Sequence, residues 1–271
     1  MSHVFTVRGV RPSSFSAVCA GLALHDLRMV EEAPTADEWP EGTVHFHRED
    51  VSARNTEITR TPEGVEVRVM SMSAPEDVEL ALRFVEVFAS ELGAATVDAE
   101  MVGEIELSRL REVFDDRWIA SQWESGVRVV RALVADGRGP ITVPGATRSF
   151  VVGARLLAEI ETADGMLERM RRVQWIEREG FRAAGRFQAS KDGADFTFAV
   201  LLPDEDLFVP VVDRILIEEP KETRALFDAS KLGEVIGEPW TPLDERQGCF
   251  RALRGAAWTE IGRRARLTAD G

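Results

Sequence analysis

With 271 residues, 44% of them hydrophobic and 30% charged, the chain has the composition of a folded globular protein and the length for one large domain or two modest ones. Its 33 basic residues stand against 47 acidic ones, a formal charge of −14, which disfavours nucleic acid because a polyanion releases counterions only where cations cluster. Three lysines in the whole chain set Schiff-base chemistry aside, and two distant cysteines, Cys19 and Cys249, form neither a disulfide framework nor a zinc pattern.

In chain order, "HVFTVRGV" alternates as an opening strand closed by Arg11-Pro12. "SFSAVCAGLALHDL" predicts a short helix with Ser13 or Ser14 as N-cap. After the acidic, proline-containing stretch "EEAPTADEWPEG", "TVHFHRED" predicts a strand. "NTEITRT" and "GVEVRVMSM" predict a hairpin turning at Pro62-Glu63-Gly64. "SAPEDVELALRFVEVFASELG" carries the best local signal. Ser73 and Glu76 match a capping box, Pro75 lies in the first turn, the apolar residues follow a helical period, and Gly93 supplies the stop. A second helical tract runs from Glu106 to Gly137, with Ser125-Gly126 as a place to kink or split.

The remaining chain uses similar elements. "GPITVPGATRSFVVG" holds two strand candidates, followed by helical "ARLLAEI" and "MLERMRRVQWIE". "GFRAAGRFQAS" and "ADFTFAVLLP" predict a hairpin over Lys191-Asp192-Gly193, and "LFVPVVDRILIEE" a further strand. "KETRALFDASKLGEVIG" and the tail "FRALRGAAWTEIGRRARL" read as helices. Each half thus shows a hairpin and then a helix, at 57–92 and 181–233. The expected architecture is α+β: two mixed modules of antiparallel sheet with packed helices, at 1–138 and 139–271, divided near Gly137–Gly139. Residues 1–150 hold 15 basic and 25 acidic side chains, so most of the negative charge lies in the first module.

One spacing suggests chemistry. On a strand, His45, His47 and Glu49 project together while Val44 and Phe46 face the other way, so two imidazoles and a carboxylate are candidate metal ligands. The same pattern describes an amphipathic strand with a wet face. Alternate residues stretch about 6.6 Å apart, and metals usually draw a ligand from a second element, so the scaffold reading is preferred. Asp115-Asp116 and Asp204-Glu205-Asp206 are carboxylate clusters best read as solvated surface. No nucleophile elbow, P-loop or dinucleotide fingerprint is present, so no catalytic residue and no cofactor are assigned. From Arg246 to Arg266, six arginines face one glutamate; this basic tail is expected to dock on the acidic remainder or end as a solvated helix. Trp39 and Trp240 stand beside prolines, as interface anchors or lids over a core.

Three stretches, "PEDVELALRFVEVFASELGA", "GPITVPGATRSFVVGARLL" and "FVPVVDRILIEE", resemble segments of uncharacterised bacterial families of unknown function. The first resembles a pattern found in some toxin-immunity-type proteins. The resemblance implies an interaction role and, resting on helix and strand framework, transfers no catalytic residue. No basic leader precedes an apolar run at the N-terminus and no stretch approaches 18 uninterrupted apolar residues, so a soluble cytoplasmic protein without a membrane role is expected. The leading functional expectation is a non-enzymatic interaction, immunity or accessory protein that shows an acidic surface to a basic protein partner. The alternatives are a metal-dependent enzyme using His45, His47 and Glu49, and a binder of small ligands.

Overall fold

The computed structural model describes residues 2–9, 14–34, 37–191, 193–218 and 224–269. They form an α+β protein that divides into two compact units: residues 1–150 with 160–174, and residues 151–159 with 175–271. No helix among the described residues is long and apolar enough to cross a membrane.

The first unit is built on an antiparallel sheet of seven strands. They are β1 (His3–Arg8), β2 (Leu27–Met29), β3 (Thr43–Arg48), β4 (Thr56–Thr61), β5 (Gly64–Val69), β6 (Thr96–Ala99) and β7 (Gly103–Glu106), in the spatial order β2-β3-β4-β5-β1-β6-β7. The opening strand, the histidine strand and the hairpin stand where the alternation places them, whereas the β6–β7 hairpin was not anticipated. Register follows from the period of two: Phe5, Val7, Val44, Phe46, Ile58, Val65, Val67 and Val97 all turn to one face and are buried there. Trp39 belongs to this core, stacked on Phe46 at 5.7 Å and edge-on to Phe88 at 4.8 Å between ring centres, so it is not an exposed anchor.

Two helices follow from their caps. In α1 (Phe15–Leu22), Ser14 Oγ accepts from the Ala17 N–H at 3.1 Å; Ser13, the other candidate cap, lies outside the described residues. In α2 (Pro75–Leu92) the expected Ser73/Glu76 capping box is displaced by one residue. Pro75 takes the first helical position, which makes Ala74 the N-cap, and the third residue, Asp77, accepts from the Ala74 N–H at 2.9 Å. Glu76 pairs instead with Arg171. Gly93 ends the helix as read, at φ +69, a left-handed conformation that favours glycine.

The second helical tract breaks elsewhere than expected. A 3-10 turn and α3 (Leu110–Val113) end at Phe114, and Asp115 starts α4 (Asp116–Ala135) by accepting from the Trp118 N–H at 2.8 Å. Asp115 is thus a cap. Ser125-Gly126 does not split α4, which runs through it. Gly126 is there for close approach: a Cβ would stand 2.9 Å from the Met72 backbone nitrogen. Arg111 of α3 grips Glu86 of α2 with two bonds, at 2.6 and 2.8 Å, so α2 is held from both its sheet side and its outer side. The strand β8 (Ile141–Val143) and helix α6 (Ala163–Gln174) complete this unit.

In the second unit, after β9 (Phe150–Val152) and α5 (Ala154–Glu159), a small sheet joins β10 (Arg182–Ala183), β13 (Leu207–Val209), β16 (Trp240–Pro242) and β17 (Gly248–Phe250). A second sheet has the order β11 (Arg186–Lys191), β12 (Ala194–Leu201), β14 (Arg214–Glu218), β15 (Arg224–Asp228). The β11–β12 hairpin is as expected, with Asp192 of its turn outside the described residues. "LFVPVVDRILIEE" proves to be two strands in different sheets, separated at Pro210. "KETRALFDASKLGEVIG" is not one helix. Arg224–Asp228 alternate exposed and buried and pair with β14, and the helical part is confined to a 3-10 turn at Ala229–Lys231 and α7 (Leu232–Ile236); Lys221–Thr223 lie outside the described residues. The hairpin here is therefore followed by strands, so the two halves do not share the order hairpin, helix. The tail helix, α8 (Ala256–Ala269), buries Trp258, Ile261 and Ala265 against Ile215, Ile217 and Phe227.

Candidate functional site

The seven-stranded sheet has a second face. Helices α2 and α4 lie on the side of Phe5 and Phe46, and the alternate side chains form rows on the opposite side. Across one row stand His45, Glu57, Arg68 and Val4; across the next, Thr43, Thr59, Glu66, Thr6, Asp98 and Glu104. With Glu31, Glu49 and Glu106 at its margins, this face holds seven carboxylates against three arginines, Arg8, Arg28 and Arg68. Each arginine is already engaged: Arg8 with Asp98 at 3.0 Å, Arg28 with Glu49, and Arg68 with Glu57 at 3.7 Å. The surplus is therefore anionic.

The histidine strand lies in this face. His45 takes hold of Glu31 twice, through its backbone N–H at 2.8 Å and its Nδ1 at 2.6 Å, while its Nε2 lies 3.6 Å from Glu57. Burial opposes ionisation of Glu31, but the bonds from His45 outweigh it and hold the carboxyl below its ordinary range. The result is a row of polar side chains, Glu31, His45, Glu57 and Arg68, spread over four strands or their extensions. His47, the next residue on that side, is buried and has Asn55 Oδ1 at 3.2 Å from its Nδ1. Burial pushes its pKa down, which favours the neutral ring. Glu49 lies beyond the strand end and pairs with Arg28. The three candidate ligands share a side of the chain but serve three different partners. Among the described residues no three His, Cys, Asp or Glu side chains converge as a metal-holding group. Sequence reasoning missed Glu31 and Glu57, since both reach His45 from neighbouring strands, and it missed Asp98 and Glu104 with their hairpin.

A different polar knot lies at the start of α2, on the helix side of the sheet. Asp77 is fully buried, and its Oδ2 accepts from the N–H groups of Ala74 and Arg54, each at 2.9 Å, while its Oδ1 has no hydrogen-bond partner. Burial prevails over those bonds and raises its pKa to about 7. Burial likewise lowers Arg54 to about 10, against the attraction of Asp77. Nearby, Gln174 Oε1 accepts from the N–H groups of Thr147 (2.8 Å) and Arg148 (2.9 Å), and its Nε2 donates to the Arg148 carbonyl at 2.9 Å. These bonds fix a loop; all of them satisfy backbone groups.

The second unit contains a cleft of about 480 Å³ lined by Arg155, Asp213, Asp228, Trp240, Glu245 and Arg246, among others. Its floor is organised by Asp244, whose carboxylate accepts from the N–H groups of Val151 (2.8 Å), Arg246 (2.8 Å) and Gln247 (2.7 Å). Burial raises the Asp244 pKa against those bonds. Both its oxygens are committed, so the residue shapes the loop. Trp240, half-buried, forms a wall of this cleft. The carboxylates of 204–206 do not gather here: Asp204 meets Arg254 at 2.7 Å, Glu205 meets Arg182 at 3.1 Å, and Asp206 accepts from the Ala252 N–H at 2.7 Å and pairs with Arg251. The arginines of the tail thus engage carboxylates of their own unit.

A family model described as a domain of unknown function, DUF4299, matches residues 13–218, most of the chain. No curated protein and no solved structure matches it.

Proposed function

The chain belongs to the DUF4299 family, and from that premise we propose that it is a non-enzymatic interaction protein whose carboxylate-rich sheet face receives a basic protein partner. The observation that carries the reading is the arrangement of that face: seven carboxylates, three arginines each already paired, and, among the described residues, helices α2 and α4 packed on the other side. A surface of this kind steers a cationic partner and contributes more to encounter rate and specificity than to affinity. An immunity or accessory role in a bacterial cytoplasm is the setting we propose, in keeping with the framework stretches quoted above.

The test is capture from the native host with wild-type protein and with a Glu66→Arg/Glu104→Arg double variant. A basic partner retained at low salt, released as salt rises, and lost to the variant supports the reading. Retention that ignores both ionic strength and the two reversals overturns it.

A second reading rests on the cleft beside Trp240, which has the volume of a small-ligand site. Ligands specific for the folded state raise the melting temperature. A metabolite that stabilises the wild type and not Trp240→Ala would establish this role alongside the first.

A further inference from the structure

The β11–β12–β14–β15 sheet is covered on one side by α8 and open on the other. Ala199, Leu201, Ile215, Ile217 and Phe227 turn toward the helix and are buried. The opposite register positions carry Phe187 on β11, Phe196 and Phe198 on β12, and Leu216 on β14, all of them partly or fully exposed. Phe187 is 49% exposed, an unusual state for a phenylalanine on a strand. The rings make a continuous strip: Phe187 stacks on Phe198 at 5.4 Å, Phe198 lies 6.2 Å from Phe196, and the Arg214 guanidinium sits 5.5 Å above Phe196.

This strip ends at an open sheet edge. Among the described residues β11 pairs with β12 alone, so its outer backbone groups face solvent over six residues. Along β11, Phe187 and Ala189 look to the aromatic side, Gln188 and Ser190 to the other. Its only charges are Arg186 and Lys191, one at each end, both positive. The nearby carboxylates, Asp195 and Asp213, stand one and two strands further in.

We propose that the β11 edge is a docking site for an extended acidic segment of a partner protein, which adds as a fifth strand and covers Phe187. Charge decides the occupant. A second copy of this chain pairing antiparallel through β11 must set residues of one face opposite each other, so Arg186 meets Ser190 and Phe187 meets Ala189 about Gln188, and the seam gathers the cations of both copies with no carboxylate of β11 to offset them. A segment with acidic residues opposite Arg186 and Lys191 and an apolar residue opposite Phe187 gains at all three. Strand addition supplies affinity through the backbone and selects through alternate side chains. This surface lies in the second unit and is independent of the acidic face proposed above.

The experiment uses the full chain and two blocked hexapeptides, Glu-Thr-Val-Thr-Ile-Glu and the same sequence with lysine at both ends, titrated into the millimolar range. Binding is read by fluorescence anisotropy and the site by amide exchange. The acidic peptide is expected to bind about tenfold more tightly than the basic one at low salt. It should also protect amides within 186–191, and the preference should invert in an Arg186→Glu/Lys191→Glu variant. Both changed residues are exposed, so folding is checked by an unaltered melting temperature. Equal binding of the two peptides, or exchange at 186–191 that neither peptide changes, overturns the proposal. So does concentration-dependent dimerisation that protects β11 without peptide, or preferential binding of a single-stranded oligonucleotide to the phenylalanine strip.

Discussion

At the scale of single residues, Asp77 and His47 make opposite demands on pH. Asp77, raised to about 7 by burial, binds its proton more readily in the fold than in the unfolded chain. Its contribution is therefore most favourable below about pH 4 and is lost as pH rises toward 7, by an amount on the order of a few kcal/mol. His47 runs the other way: burial lowers its pKa, so acidification below about 6.5 protonates the unfolded chain first and destabilises the fold. The two partly cancel in the wild type and are separated by substitution. Asp77→Asn keeps an oxygen for the Ala74 and Arg54 N–H groups and removes the titration. Urea midpoints measured from pH 5 to 7.5 should fall with rising pH more steeply in the wild type than in this variant. Parallel curves would mean that Asp77 is ionised in the fold throughout the range.

At the scale of elements, local signals and long-range ones parted company. The caps of α1 and the stop of α2 were legible because Ser14 and Gly93 act on neighbours within one turn. The histidine strand was legible through alternation, yet the role of its histidines was not, since Glu31 and Glu57 arrive from strands whose pairing the chain does not announce. The segment 224–228 was misread for a related reason: its period-two pattern is five residues long and adjoins a true helical turn. Gly126 shows the same limit. In sequence it looks like a weakness in a helix; in the fold it is where α4 meets the Met72 backbone. Gly126→Ala should gain about 1 kcal/mol in helix propensity and lose about 1–3 kcal/mol to overpacking, because the Met72 backbone nitrogen stands as close as the Met72 side chain, at 2.9 Å, and cannot rotate away. Chemical denaturation is expected to show a net loss, while Glu124→Ala on the exposed side of the same turn stays near wild type. A Gly126→Ala protein more stable than wild type would show that α4 and the Met72 turn yield freely.

At the scale of the molecule, the excess of 14 negative charges sets a background that individual ion pairs do not remove. Most pairs here are partly exposed, and such pairs are worth about 0–1 kcal/mol each, so screening them loses little. The surplus carboxylates of the sheet face repel one another over distances that salt shortens, the Debye length falling to about 10 Å near 0.1 M. Repulsion should therefore win the comparison, and added sodium chloride should stabilise the fold. Glu66 and Glu104 supply the cleanest test: Glu66 faces Thr59 and Thr6 across the sheet, and Glu104 accepts from the Thr96 hydroxyl at 2.6 Å, while among the described residues the arginines of this face pair with other carboxylates. Raising salt from about 0.02 to 0.3 M is expected to raise the melting temperature of the wild type. It should raise that of a Glu66→Gln/Glu104→Gln variant by less, with the variant the more stable of the two at low salt. If salt lowers the melting temperature, or the two proteins respond alike, the carboxylates of this face are balanced in place, and the charge available to a basic partner must lie elsewhere on the surface.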